Sequence, residues 1–147
     1  MRIIPCTSIG QEGWLACRQA LWPDTMAGEH LAEMRTALGD PDRYAQFMAS
    51  ATNGRALGFA EAALRMDYVN GTDSTPVAFV EGLYVTPEYR RQGIGTLLIV
   101  EVILWARAHG CTELASDALL DNEVSQEMHR SLGFEETERV VFFRKLI

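Results

Sequence analysis

The sequence predicts an α+β sandwich, helices packed on one central sheet. Three observations carry that expectation. The first half holds three strand-like segments joined mostly by turn signals, which reads as an antiparallel meander. The second half alternates helical and strand patterns. The 147 residues, 48% hydrophobic and 22% charged, suit one packed domain over 1–147 and argue against disorder.

Each element has its own signal. "RIIP" opens as a short strand. Ile9, Trp14, Leu15, Ala20 and Leu21 recur at helical spacing, so a helix is expected from Ile9 to Trp22, with Ser8 as N-cap and Pro23 as its stop. A second helix is expected from Gly28 to Leu38, ended by Gly39 with Pro41 beyond. "RYAQFMAS" and "RALGFAEAALRMDYV" read as strands, the latter despite its alanines. "NGTDSTP" is a turn signal, and "VAFVEGLYV" is a strand bounded by Pro76 and Pro87.

A loop, "PEYRRQGIG", leads into a helix carrying Ile94, Leu97, Leu98, Val102 and Trp105, which ends at Gly110. "CTELASD" is a strand ending in an acid. "DNEVSQEMHRSLGF" is an amphipathic helix closed by Gly133, and "RVVFFRKLI" is a last strand.

Composition narrows the function. A net charge of −7 repels nucleic acid and attracts cationic small molecules. The longest apolar run, "TLLIV", is far short of a membrane span, and "MRIIPCTS" lacks a signal-peptide pattern, so a cytoplasmic protein without membrane partners is expected. Cys6, Cys17 and Cys111 are scattered and read as reduced thiols; with His30, His109 and His129 they form no metal-ligand spacing.

The loop is the most informative segment. A glycine turn between strand and helix is a natural anion site, because the first helical N–H groups have no internal partner and the dipole favours negative charge. Gly93 and Gly95 let a ligand approach the backbone, and Arg90 and Arg91 add charge-assisted bonds. A dinucleotide fingerprint fails because Leu98 occupies its third glycine position, and a P-loop fails because the chain has no Gly-Lys pair. The plainer alternative is a connection whose glycines serve the turn alone.

"RRQGIG" contains Arg90-x-x-Gly93-x-Gly95, which resembles the acetyl-CoA pyrophosphate loop, [QR]-x-x-G-x-[GA], of the GNAT N-acetyltransferase superfamily. The preceding strand, the long helix, Asn122 before the next helix and the closing "LGF" at Leu132–Phe134 fit the same pattern. Within it, the chain looks most like the aminoglycoside 6'-N-acetyltransferases, through "QALWP", "DYVNGTDSTPVAFVEGLYV", "ASD" and "HRSLGFEETERVVFFRK".

The resemblance implies a central mixed, mostly antiparallel sheet of about seven strands, splayed between strands 4 and 5 and flanked by about four helices. It implies acetyl-CoA as co-substrate, without metal. It assigns coenzyme contacts to Leu83, Tyr84, Val85, Arg90, Arg91, Gln92, Gly93, Ile94, Gly95, Thr96, Asn122 and His129. A backbone N–H, that of Val85, would bond the thioester oxygen.

The acceptor side has two readings at each position. Glu81 stands in an apolar strand, where period two puts it with Phe79, Leu83 and Val85; it is either a carboxylate that reaches solvent or a proton acceptor for the amine. Asp117 ends the next strand as a turn cap or as a second catalytic carboxylate. The resemblance adds Trp22, Tyr68 and Glu138 to Glu81 and Asp117 as residues lining a cationic aminoglycoside; their plainer readings are core, turn and solvated charge.

Many members of the family carry a tyrosine shortly before "LGF"; here His129 stands near that position, either as the acid for the leaving thiolate or as a packing or coenzyme residue, with the thiolate then taking its proton from solvent or from the ammonium. Ser125 and His129, four apart on a helix, lack a G-x-S-x-G elbow and read as neighbours only. Competing functions are an acetyltransferase for another amine, such as a polyamine or a protein N-terminus, and a non-catalytic acetyl-CoA-binding module. A homodimer is expected from the resemblance, with "RVVFF" either completing the sheet or exchanging between subunits.

Overall fold

The computed structural model describes residues 1–147. In chain order the elements are β1 (Arg2–Pro5), α1 (Trp14–Leu21), α2 (Ala27–Gly39), β2 (Tyr44–Ser50), β3 (Ala56–Arg65), β4 (Val77–Val85), a 3-10 turn at Pro87–Tyr89, α3 (Ile94–Ala108), β5 (Leu114–Ala115) and α4 (Glu123–Ser131). The sheet order is β1-β2-β3-β4-β5; the first three pairings are antiparallel and β4–β5 is parallel.

Helices cover both faces. On one, Trp14 and Cys17 of α1 and Met34 of α2 pack on Met48 and Phe59, which face each other across β2 and β3. On the other, α3 presents a row at spacing four, Ile94, Leu98, Val102 and Ala106, all buried. That row meets Ala49, Ala60 and Ala62 of the sheet. The alanines unusual in a strand thus serve close packing: small side chains let α3 approach. Burying a Leu98 or Val102 side chain contributes about 1.5–3 kcal/mol each.

Several expected boundaries shift, each for a local reason. The first helix starts at Trp14 instead of Ile9. The Ser8 hydroxyl accepts from the Gly10 N–H at 3.2 Å instead of capping α1, and the chain then turns through Gly13 at φ 77°. A Cβ on Gly13 would collide with Ala56 Cβ, so that close, left-handed turn requires glycine. Leu97, expected in the core row, points outward and is 42% exposed.

The sheet has five strands where about seven were expected. The strand expected at "RVVFFRKLI" is absent: residues 132–147 contain no helix or strand. β5 offers only Leu114 and Ala115 as an edge, so the arm finds no partner strand in its own chain, and Val141, Phe142 and Phe143 are 74%, 89% and 91% exposed. Nearer its start, Thr137 packs tightly on Gly71.

Candidate functional site

β4 contains the feature that builds the site. Glu61 of β3 faces Gly82, but its neighbour Ala62 faces Val80, so Glu81 is an extra residue bulged out of the ladder. The bulge changes the phase of the strand. Leu83 and Val85 pack with Val80 on the α3 face, while Phe79 lies on the other. The four-residue face expected from simple alternation is therefore broken at Glu81.

At the same level β4 leaves β5. Their pairing stops at Phe79↔Ala115, and beyond it the strands splay. The opening is a cleft of about 250 Å³ whose walls include Trp22, Glu81, Leu83, Ser116, Asp117, Asn122 and His129. Trp22, Glu81 and Asp117 are thus brought together. Tyr68, 73% exposed, and Glu138, on the exposed arm, do not line the cleft.

The free edge of β4 carries unused backbone groups. Thr86 N–H donates to Leu57 O at 2.9 Å, which fixes the phase of the antiparallel ladder. Alternation then turns Tyr84 toward Phe59 of β3 and the backbone of Leu83 and Val85 away from it. The Val85 carbonyl indeed accepts from Arg90 Nε at 2.8 Å on that outer side. Tyr84 lies with its ring 5.5 Å from the Arg90 guanidinium.

That edge leads to the start of α3. Arg91 (φ 61°) and Gly93 (φ 83°) both take left-handed conformations, and Gly93 is the N-cap. No backbone N–H from Arg91 to Thr96, Gln92, Ile94 and Gly95 included, donates within the protein. Successive free donors at a helix N-terminus form an anion cradle. A Cβ on Gly95 would touch only Leu132, at 3.9 Å, so the fold itself does not demand glycine there.

Three arrangements were hidden in the sequence. Glu81 pairs with Arg65, 2.9 Å from Nη2, and Arg65 lies 3.6 Å above the Phe79 ring. The second is a buried hub under Trp22. Arg18 Nη1 donates to both Glu61 oxygens at 2.6 Å, Trp14 Nε1 donates to Glu61 at 2.8 Å, and Arg18 also meets Glu33. Arg18 Nε donates to His30 Nδ1 at 3.2 Å, so His30 Nε2 carries the proton and faces the Trp22 carbonyl at 3.3 Å. Leaving one charge of such a buried pair alone costs about 3–5 kcal/mol.

A charged residue inside the apolar row Trp14-Arg18-Trp22, and another inside "GFAEAAL", were the available signals for that hub. The third arrangement joins Ser116 to His129, at 2.7 Å from Nε2. Asn122 caps α4, its side chain accepting from Ser125 N–H at 3.0 Å. A second cavity of about 610 Å³, on the α2 side of the sheet, shares Trp22 and Glu81 with the cleft.

The comparisons with known proteins agree with this geometry. Residues 11–134 match the acetyltransferase (GNAT) family model. The chain is 49% identical to an aminoglycoside N(6')-acetyltransferase type 1 of Acinetobacter baumannii, over 100% of this chain and 99% of that protein. It is 50% identical to one from Serratia marcescens, over 99% of each. Among solved structures, the aminoglycoside 6'-N-acetyltransferase AAC(6')-IG of Acinetobacter haemolyticus superposes with a TM-score of 0.94 at 45% identity, covering 100% of this chain and 99% of that one. AAC(6')-Iy bound to the bisubstrate analogue CoA-S-monomethyl-acetylneamine gives 0.93 at 44% identity, covering 99% and 98%. A splayed sheet edge running into an anion cradle, and relatives matching from end to end, lead to one conclusion: this chain belongs to the GNAT acetyltransferase family.

Proposed function

We propose that this protein transfers acetyl from acetyl-CoA to the 6'-amino group of aminoglycoside antibiotics, by direct attack in a ternary complex, and so confers resistance to them. The observation that carries the reading is the opening of β4 from β5 at the Glu81 bulge, which puts two carboxylates, an outward backbone edge and the α3 cradle along one path. The similar proteins named as aminoglycoside acetyltransferases support the choice of acceptor.

In this reading, the coenzyme pyrophosphate rests on the N–H groups from Arg91 to Thr96, with Arg90 and Arg91 adding charge. The pantetheine arm pairs with the outward backbone of Leu83 and Val85, beside Tyr84, and reaches Asn122 and His129. Val85 N–H stabilises the oxygen that becomes negative as the amine adds, a donor fixed before charge develops. Glu81 and Asp117 hold the cationic acceptor and take the proton of the attacking amine, directly or through a water. Arg65 keeps the Glu81 carboxylate in place. Trp22, supported from below by the Arg18 hub, forms a flat wall for the sugar.

The working unit in this reading is a cytoplasmic homodimer. The apolar arm, with Val141, Phe142 and Phe143 exposed, packs on a second copy. The tight contact of Thr137 on Gly71 holds Glu138 beside the loop that follows Tyr68, so both residues enter the acceptor site at the boundary between copies. Free Cys6, Cys17 and Cys111 suit a reducing compartment.

The test is coenzyme-A thiol release with two matched aminoglycosides, one bearing a 6'-amine and one a 6'-hydroxyl. Turnover with the amine alone is expected. Equal or no turnover with the pair, beside turnover of a polyamine or peptide, would overturn the assignment.

A further inference from the structure

The sequence pairs His129 with Ser125, one turn earlier on α4; the fold keeps that hydroxyl 3.4 Å from Nδ1 and adds a second, closer one at the other ring nitrogen. Ser116 Oγ lies 2.7 Å from His129 Nε2. On the other side of the ring, Nδ1 lies 2.6 Å from the Ser125 carbonyl oxygen. A carbonyl oxygen only accepts, so in the neutral imidazole Nδ1 carries the proton and Nε2 turns its lone pair toward the Ser116 hydroxyl. Phe134 stands edge-on to the ring, with centroids 5.3 Å apart, and fixes its plane.

A hydroxyl held on an acceptor nitrogen, with the opposite N–H anchored, is the arrangement of an activated nucleophile. Ser116 sits where β5 ends, and it lines the cleft with Glu81, Leu83 and Asp117. The outward N–H groups of Leu83 and Val85, on the β4 side of that opening, are available to a developing oxyanion. The amine-transfer account shares that backbone edge but gives the Ser116–His129 contact no role.

We propose that Ser116, with His129 as its base, gives the cleft a second activity: hydrolysis of the acetyl thioester through an acetyl-Ser116 ester when no amine is bound. The inference rests on the reading of the cleft as the acetyl-thioester site. Ser116 Oγ bonds the thioester carbonyl carbon as its proton moves to His129 Nε2. The carbon–sulfur bond then breaks, and the imidazolium proton goes to the departing thiolate. Coenzyme-A thiol leaves and an acetyl ester remains on Ser116. Water next attacks the ester carbonyl and gives a proton to Nε2; the ester carbon–oxygen bond breaks, Oγ recovers that proton, and acetic acid leaves and ionises. A bound amine attacks the same thioester carbon directly and bypasses the ester.

The experiment uses the full chain in phosphate buffer without amines. Acid-quenched wild-type protein incubated with acetyl-CoA is weighed intact and mapped by peptide mass spectrometry, and thiol release is followed in parallel. The expected result is one acetyl group on Ser116. In S116A, and in H129Q, the ratio of amine-free thiol release to amine-dependent transfer falls about a hundredfold. Wild-type protein that transfers acetyl to an amine but never carries acetyl on Ser116, with the ratio unchanged in S116A, would overturn the proposal while leaving the transferase reading intact. Loss of both amine transfer and stabilisation by coenzyme A in the wild type would overturn both. The wild-type mass measurement stands even if a variant fails to fold.

Discussion

The Trp22 indole lies against Gly82: a Cβ on Gly82 would meet Trp22 Cη2 at 2.5 Å and Cζ2 at 2.8 Å. Gly82 is the residue just after the Glu81 bulge. The glycine therefore lets the aromatic wall sit against the strand beside the bulge. Replacing Gly82 by alanine forces the ring away. The expected outcome is a tenfold rise in acceptor KM, about 1.4 kcal/mol, with stability lower by about 1–3 kcal/mol. Steady-state kinetics and thermal melts check it, and the coenzyme KM is expected to hold.

Gly93 answers a different need. No atom lies within 4 Å of a Cβ placed there, but its φ of 83° strains any side chain. G93A is expected to cost about 1–2 kcal/mol of strain, relieved by turning the cradle's N–H groups out of line. Acetyl-CoA KM then rises about tenfold while acceptor KM holds, since one misplaced set of charge-assisted bonds is worth about 1.4 kcal/mol. Titration calorimetry with coenzyme A reads the same loss.

The arm makes a prediction about assembly. Phe142 and Phe143 are 89% and 91% exposed in one chain. Replacing both by aspartate is expected to convert a dimer into a monomer in sedimentation velocity, with far-ultraviolet circular dichroism retained. A wild-type monomer at micromolar concentration would contradict the proposed assembly.

Alkaline stability follows from the buried thiols. Burial pushes the Cys17 thiol up to about 11 from 9.0. Burial, and the proximity of Glu61 and Cys17, raise the Cys6 thiol as well. These groups stay protonated in the folded chain after their unfolded counterparts have ionised, so the unfolded state binds fewer protons and stability falls with rising pH. The contribution is complete below 9.0 and, for Cys17, is lost as the pH rises to about 11. Thermal melts across that window are expected to show a falling Tm, with a shallower slope in C17A.

Much of this was legible in the sequence. The glycine turn before α3, most of the α3 row and the order of the elements up to α4 follow from glycine placement and apolar spacing, which are local. The bulge was not legible, because a strand's phase changes only when its partner's register is known, and it moved Leu83 and Val85 away from Phe79's face. The pairings of Glu81 with Arg65, Arg18 with Glu61 and Ser116 with His129 join positions 16, 43 and 13 residues apart, beyond any periodic signal. The last strand was misplaced for the opposite reason. Its apolar run, Val140 to Phe143, is local and clear, yet β5 offers only Leu114 and Ala115 as an edge to pair with.

The central claim is that Glu81 and Asp117, on the two sides of the splay, serve one amine. The direct measurement is kcat/KM for a 6'-amino aminoglycoside in E81Q and D117N, with coenzyme-A affinity measured beside it. The account predicts a loss of about a hundredfold in each variant with coenzyme affinity retained. Wild-type kcat/KM in both variants would contradict it.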